Sequence, residues 1–164
     1  MKRAIFLLAV LSVILSGARY AASEEDTLII TGQIALTNCE RGFTLTLEEV
    51  KTLKGTTYVV QDPWMGENFY QGVELIELLR YVGYPVNAKK IVLVCSDGKE
   101  FEVAVKDAQL YPIMLAYASK GRNLPSSQGG PFKLVFPITA YPQLEKVYPA
   151  DAWAWYVTEI RVEM

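Results

Sequence analysis

The chain has 164 residues, 16 basic and 18 acidic, which gives a formal net charge of −2. A slightly acidic chain with scattered lysines lacks the basic surface that nucleic acids require, so nucleic-acid binding is excluded. The chain contains no histidine, which excludes Ser-His and Cys-His nucleophilic catalysis and histidine-ligated zinc or copper.

The N-terminal segment has the three parts of a secretory signal peptide. Lys2 and Arg3 provide a basic start, and residues 4–15 are apolar with a single serine among them. Small residues are frequent over 16–23, as a cleavage zone requires. An apolar run of about a dozen residues is too short for a membrane span, which takes roughly 20. These features predict export.

We expect residues 1–22 to be removed as a signal peptide, although cleavage after Ala18, Ala22 or Ser23 is equally compatible with the pattern. Removal of 1–22 takes away three basic residues and no acidic one, leaving 13 basic and 18 acidic residues. The remainder, 27–164, has the usual length of one domain. The prediction is one periplasmic or secreted domain, with no membrane insertion after cleavage.

The first half of this domain predicts two strands with a short helix between them. Residues 28–36 are rich in apolar and β-branched side chains and indicate a strand. Thr46-Leu-Glu-Glu49 is a capping box, whose first and last residues bond each other's backbone N–H, and it opens a helix through Leu53. Residues 56–60 are predicted as a strand, and 61–68 as a polar loop.

The second half predicts a helix, two hairpins and further strands. Apolar residues at helical spacing indicate a helix over 75–82 that ends at Gly83. Strands on either side of Asp97-Gly98 form the clearest hairpin, because this dipeptide favours a two-residue turn. The remaining elements are a helical turn after Asp107, a strand over 113–117, a hairpin turn near Lys120-Gly121, a strand over 131–136, weak helix over 141–148 and a last strand over 153–162.

Short strands therefore outnumber short helices, and the regular βαβ alternation of a doubly wound fold is not seen in the sequence. The prediction is an α+β fold, with a mixed β-sheet or barrel-like core and short helices.

The order of these segments resembles the sulfite-oxidase-type molybdopterin-binding domain. The resemblance spans residues 27–164 and implies the fold of that family and a pterin-type cofactor. The segments that carry it are Phe69-Tyr-Gln-Gly-Val-Glu-Leu-Ile-Glu-Leu-Leu79, Ser96-Asp97-Gly98, Met114-Leu115-Ala116 with Lys120-Gly121, Gly130-Pro131-Phe-Lys-Leu-Val-Phe-Pro137, and Trp153-Ala-Trp155 with the terminal strand.

The chain departs from the enzymes of that family at the metal. Enzyme members hold molybdenum through a cysteine thiolate shortly before the Gly72-Val73 helix, but residues 58–64 contain no cysteine. The side chains there cannot replace a soft thiolate ligand. We therefore predict no catalytic residue and no metal ligand. Cys39 and Cys95 lie elsewhere in the pattern. Two alternatives stay open for them: they form a disulfide in an oxidising compartment, or Cys95 is unpaired and buried.

A second branch of the family fits better. Its small exported members lack the metal cysteine, bind a free pterin and serve as sensory or accessory proteins. The resemblance thus implies a pterin without molybdenum and a membrane-bound signalling partner. The ordinary export signal agrees, because molybdenum enzymes usually travel folded behind a twin-arginine signal. Two alternatives stay open, a small molybdopterin-dependent oxidoreductase and an interaction module without ligand.

A pterin is a flat bicycle that needs an aromatic surface and a carboxylate for its guanidine-like edge. The carboxylate candidates are Asp62, Glu67, Asp97 and Asp151, of which Asp97 is better explained as a turn residue. Lys133 is expected to be solvated, although enzyme relatives carry a basic residue near the cofactor at this place. The predicted cofactor-binding residues are Asp62, Trp64, Lys133, Tyr141, Trp153 and Trp155. The spacing of Trp153 and Trp155, on one face of the last strand, is equally consistent with a core position.

Overall fold

The computed structural model describes residues 27–164, so the predicted signal peptide over 1–22 lies outside the described residues. Its strands are β1 (Thr27–Gly32), β2 (Phe43–Thr46), β3 (Gly55–Asp62), β4 (Gly66–Glu74), β5 (Lys90–Cys95), β6 (Glu100–Ala104), β7 (Met114–Ser119), β8 (Arg122–Asn123), β9 (Lys133–Val135) and β10 (Val157–Glu163). Its α-helices are α1 (Leu47–Thr52), α2 (Leu75–Val82), α3 (Val105–Leu110) and α4 (Leu144–Val147).

The strands form two sheets of five strands each, of which the first is mixed. The first has the order β2-β1-β10-β5-β6, in which β1 and β10 are parallel and the other neighbours antiparallel. The second has the order β3-β4-β7-β8, and β9 joins it by pairing with β7. All pairs of the second sheet are antiparallel. The predicted α+β class with mixed sheets and short helices is confirmed.

Elements with local sequence signals form where the sequence predicts them. The capping box is present, because Glu49 N–H donates to Thr46 Oγ1 over 3.3 Å and Thr46 N–H donates to Glu49 Oε2 over 2.7 Å. The Asp97-Gly98 turn joins β5 to β6, and Asp97 Oδ1 accepts from Lys99 N–H over 3.1 Å. Both signals act within three residues, so distant contacts do not override them.

Strand β4 differs from the prediction, which placed a polar loop over 61–68. Alternate residues Asn68, Tyr70 and Gly72 of this strand are buried. One of them is polar and one is glycine, so the inward face lacks the apolar alternation that identifies a strand in a sequence. A Cβ at Gly72 would lie 2.2 Å from the carbonyl oxygen of Leu115, which shows how closely β4 and β7 approach.

The last strand also differs from the prediction, since β10 begins at Val157 and not at Trp153. Residues 150–152 form a 3-10 turn. Tyr156 has φ = 59°, outside the β region, and its N–H donates to the carbonyl of Gly129 over 2.9 Å. The prediction that Trp153 and Trp155 lie on one face of the last strand is therefore wrong.

Helix α2 packs into a hydrophobic core that includes residues of both sheets. It buries five apolar side chains and ends at Gly83. Burial of one such side chain contributes roughly 1.5–3 kcal/mol, so this helix is a main source of stability. Within residues 27–164, helices long and apolar enough to span a bilayer are absent.

Candidate functional site

A cavity of about 310 Å³ opens where the β3–β4 turn, the β5–β6 hairpin and the segment before β10 meet. The chain has three tryptophans, and all of them, Trp64, Trp153 and Trp155, line this cavity. Its polar lining includes Asp97 and Asp151. The structure thus brings together three of the predicted aromatic residues from two distant parts of the chain.

The tryptophans hold different positions in the cavity wall. Trp64 lies in the β3–β4 turn with 60% of its surface exposed, and its Nε1 donates to the carbonyl of Ala150 over 3.2 Å. This hydrogen bond ties the turn to the segment before β10. Trp153 is buried and packs edge-on against Phe136 at 5.8 Å between ring centroids.

Trp155 is half-buried and is held from behind by the backbone. A Cβ at Gly129 would lie 2.8 Å from Trp155 Cγ, so the glycine backbone lies directly against the indole. The next residue, Tyr156, has the left-handed φ of 59° that bulky side chains rarely adopt. Such conformations persist where surrounding contacts enforce them, often at binding sites. The closeness of the Gly129 backbone limits where the Trp155 indole can lie.

The two cavity carboxylates differ in availability. Asp97 accepts from the Lys99 backbone, which lowers the pKa of Asp97, and it forms an ion pair of 3.2 Å with Lys99 Nζ. Asp151 is exposed, and within the described part of the chain it has no hydrogen bond or ion pair. Asp151 is therefore the carboxylate free to receive a ligand.

Beneath the tryptophans lies a buried ion pair between Lys133 and Asp62, whose side chains are both 0% exposed. Tyr70 joins it, because its hydroxyl donates to Asp62 Oδ2 over 2.7 Å and accepts from Lys133 Nζ over 3.1 Å. The expectation that Lys133 is solvated was wrong. All three residues of β9 are buried, and the partner that neutralises the ammonium lies 71 positions away in the chain.

Burial and hydrogen bonding have opposite effects on the pKa values of Asp62 and Lys133. Burial alone would raise the pKa of Asp62, but bonds from Lys133, Tyr70 and the backbone of Trp64 hold it below its ordinary value. Burial also lowers the pKa of Lys133, against the opposing effect of Asp62. The carboxylate is thus kept ionised by its partners.

Three of the six predicted cofactor-binding residues, Asp62, Lys133 and Tyr141, do not line the cavity. Asp62 is committed to Lys133 through Oδ2, while its Oδ1 accepts from the backbone N–H of Trp64 over 2.8 Å and of Met65 over 3.0 Å. Tyr141 packs edge-on against Tyr111 at 5.1 Å, away from the cavity lining. The cavity wall thus contains the three predicted tryptophans and not these three residues.

Comparison with known proteins decides the family. Residues 24–143 match the family described as "Oxidoreductase molybdopterin binding domain". The chain belongs to this family. The resemblance found in the sequence is confirmed. Curated proteins gave no match to the chain.

A solved structure supports the fold of the molybdopterin-binding domain. The chain is similar to the sulfane dehydrogenase SoxCD from Paracoccus pantotrophus, with a TM-score of 0.67 and 18% sequence identity. The match covers 87% of this chain and 39% of that one. The chain thus spans well under half of the relative's length, and the likeness establishes the shared fold.

The family implies a molybdenum-bearing pterin, and the residues present fit its two parts differently. The indole-walled cavity fits the flat pterin. The thiol that lines the cavity is Cys95, which sequence reasoning missed because it ends an apolar strand. Burial and the charge of Asp97 raise the pKa of Cys95 to about 11, whereas a metal needs the thiolate. Residues 27–164 contain no group of three His, Cys, Asp or Glu side chains arranged around a metal.

Cys39 and Cys95 are unpaired, the first exposed and the second buried. A hydrogen bond with Thr44 lowers the pKa of Cys39, while Cys95, at about 11, is almost entirely protonated at pH 8. Since the thiolate is the reactive form, we expect one thiol to react rapidly with Ellman's reagent at pH 8. The second should react only in denaturant. Cys39→Ser should abolish the rapid phase, and a rapid phase that survives this change would contradict the assignment.

Proposed function

We propose that this member of the molybdopterin-binding family is an exported, non-catalytic protein that binds a pterin without molybdenum. The observation that carries the proposal is the cavity of about 310 Å³ whose wall holds all three tryptophans and a free Asp151. The export and the sensory or accessory role, with a membrane-bound signalling partner, follow from the N-terminal sequence and from the branch that the chain resembles.

The cavity chemistry suits a flat heterocycle with one hydrogen-bonding edge. Trp64 and Trp155 offer partly exposed indole surfaces, and stacking of aromatic rings contributes about 0.5–1.5 kcal/mol beyond the buried area. The 2-amino group and ring N–H of a pterin donate in parallel, an arrangement that one carboxylate accepts bidentately. Asp151 is free for this contact, because Asp97 already holds Lys99.

The proposal that molybdenum is absent rests on donor chemistry. Residues 58–64, where the enzymes that the chain resembles carry the thiolate ligand, contain no cysteine. Burial and the charge of Asp97 raise the pKa of Cys95, the thiol in the cavity wall, to about 11. An enzyme of this family would need a thiolate at the metal. A protein that binds the bare heterocycle needs no such donor. Such a protein binds the pterin and leaves it chemically unchanged.

Binding can be measured through the cavity tryptophans. We expect oxidised biopterin to quench the tryptophan emission of the wild-type protein and to bind saturably. Asp151→Asn should weaken this binding roughly tenfold or more, because hydrogen bonds to charged groups contribute about 1.5–3 kcal/mol. Glu145→Gln is the matched control, since Glu145 is an exposed acid on α4 outside the cavity lining. Equal affinities of the two variants would contradict the role of Asp151.

The rival functions predict different bound groups in the protein purified from its native compartment. A pterin chromophore without metal supports the proposal. Stoichiometric molybdenum would overturn it in favour of a small oxidoreductase, with Cys95 as the thiol in the cavity. A colourless protein that also ignores added biopterin would overturn it in favour of an interaction module without ligand.

A further inference from the structure

The Asp62–Lys133 ion pair is not explained by stability. Both side chains are fully buried, and removing two charges from water costs about as much as their attraction returns. Apolar residues of similar volume often serve equally well or better at such positions. Neither side chain lines the cavity, so direct ligand binding does not explain the pair either.

The carboxylate of Asp62 links two structures through its two oxygens. Oδ1 accepts from the backbone N–H groups of Trp64 over 2.8 Å and Met65 over 3.0 Å. These bonds fix the turn that presents the Trp64 indole. Oδ2 receives Lys133 Nζ and the hydroxyl of Tyr70. The position of the Trp64 turn is therefore coupled to the position of the ammonium.

The ammonium in turn contacts the opposite wall of the cavity. Lys133 Nζ lies 4.6 Å from the ring centroid of Trp155 and 5.8 Å from that of Trp153. Both distances are within the range of cation–π attraction, which is strongest for indole and increases when the cation is desolvated. The cation is fully buried, so it favours one placement of the Trp155 ring.

We propose that Asp62 and Lys133 are a positioning pair, which fixes the Trp64 turn and the Trp155 indole relative to each other across the cavity. The proposal rests on the proposed pterin binding for its consequence, since the spacing of the two indoles then determines how well a flat ligand fits. The coupling itself does not require a ligand. Neither residue touches the ligand, so the pair acts only through the tryptophans.

The test uses a double variant, Asp62→Asn with Lys133→Met, in the full chain. Asparagine keeps an oxygen for the Trp64 turn, and methionine fills the space of the lysine stem without a charge. Because no buried charge is left unpaired, we expect an unfolding temperature close to or above that of the wild type. The affinity for biopterin should nevertheless fall tenfold or more. A purely structural role would change the unfolding temperature and leave the affinity of the folded protein unchanged.

A second measurement works without ligand. The protein is labelled with 5-fluorotryptophan, and its three fluorine resonances are assigned by single Trp→Phe variants. We expect sharp lines in the wild type and broadened or split lines of Trp64 and Trp155 in the double variant. The matched control is Lys90→Met with Glu102→Gln, which removes the same charges from a solvent-exposed ion pair between β5 and β6. Its lines and its biopterin affinity should match those of the wild type.

The outcomes separate the two proposals. A double variant with sharp, wild-type lines of Trp64 overturns the positioning pair, as does wild-type affinity for biopterin. A wild type that ignores biopterin overturns pterin binding alone, and the fluorine lines then decide on the pair. If the double variant does not fold, Lys133→Arg keeps both charges but moves the cation relative to Asp62 and to the Trp155 ring. Unchanged Trp64 and Trp155 lines in that variant overturn the proposal.

Discussion

Lys133→Met alone is expected to lower the free energy of unfolding at pH 7 by about 3–5 kcal/mol, the cost of leaving one partner of a buried ion pair without the other. Asp62 would remain with 0% of its side chain exposed and without its cation. Its pKa, now held below the ordinary value by Lys133, Tyr70 and the Trp64 backbone, should rise as burial dominates.

The pH dependence of this variant follows from the sign of that change. In the wild type the folded-state pKa of Asp62 is depressed, so its contribution to stability is present above the unfolded value of about 3.9 and lost as the pH falls through the folded value. In Lys133→Met the buried carboxyl favours its protonated form. The difference in stability between variant and wild type should therefore shrink as the pH falls towards 4.

Denaturant unfolding at pH 7 and pH 4.5 measures both effects. Asp62→Asn with Lys133→Met should recover most of the loss, because it leaves no charge unpaired. Lys90→Met is the single-residue control, as Lys90 is 41% exposed and its ion pairs lie in solvent; it should remain near the wild type. A Lys133→Met protein as stable as the wild type would mean that Asp62 finds another partner.

Gly129→Ala is expected to weaken biopterin binding tenfold or more and to destabilise the fold. Gly129 has φ = +88°, and a Cβ there would lie 2.8 Å from Trp155 Cγ and 2.9 Å from Trp155 Cδ2. The left-handed conformation alone costs a non-glycine residue about 1–2 kcal/mol. The contact also forces the Trp155 indole, which lines the cavity, to shift from its present position.

Gly121→Ala separates the two contributions. Gly121 has a similar φ of +76°, but a Cβ there meets nothing within 4 Å. This variant should show the conformational cost in its unfolding free energy and bind biopterin as the wild type does. Titrations of both variants, followed by tryptophan emission, give the comparison. If Gly129→Ala binds as tightly as Gly121→Ala, the wall behind Trp155 does not determine the fit of the ligand.

The sequence predicted the elements whose signals are local. The capping box of α1 and the Asp97-Gly98 hairpin are each determined by residues that lie within three or four positions of one another. Strand β4 was missed because its inward positions include Asn68 and Gly72. Asn68 is accommodated there by Ser119, whose hydroxyl donates to it over 2.9 Å. Because Ser119 lies 51 positions from Asn68, the hydrophobic periodicity around Asn68 does not indicate this partner.

The same distinction applies to the candidate site. The family motifs identified Trp64, Trp153 and Trp155, and the structure places all of them in one cavity. Periodicity put the last two on a strand, because nothing nearby in the sequence announces the left-handed Tyr156. Lys133 could not be predicted as buried without knowing its distant partner Asp62. Cys95 was hidden by the apolar residues around it in β5.

The parallel pairing of β1 with β10 has a consequence for how the molecule forms. β10 lies between β1 and β5, so it is the middle strand of its sheet although it comes last in the described chain. Until residues 157–163 are available, β1 and β2 have no hydrogen-bonded connection to β5 and β6. Such pairings between distant segments slow folding. Completion of this sheet, and with it the cavity wall before β10, must therefore await the synthesis of residues 157–163.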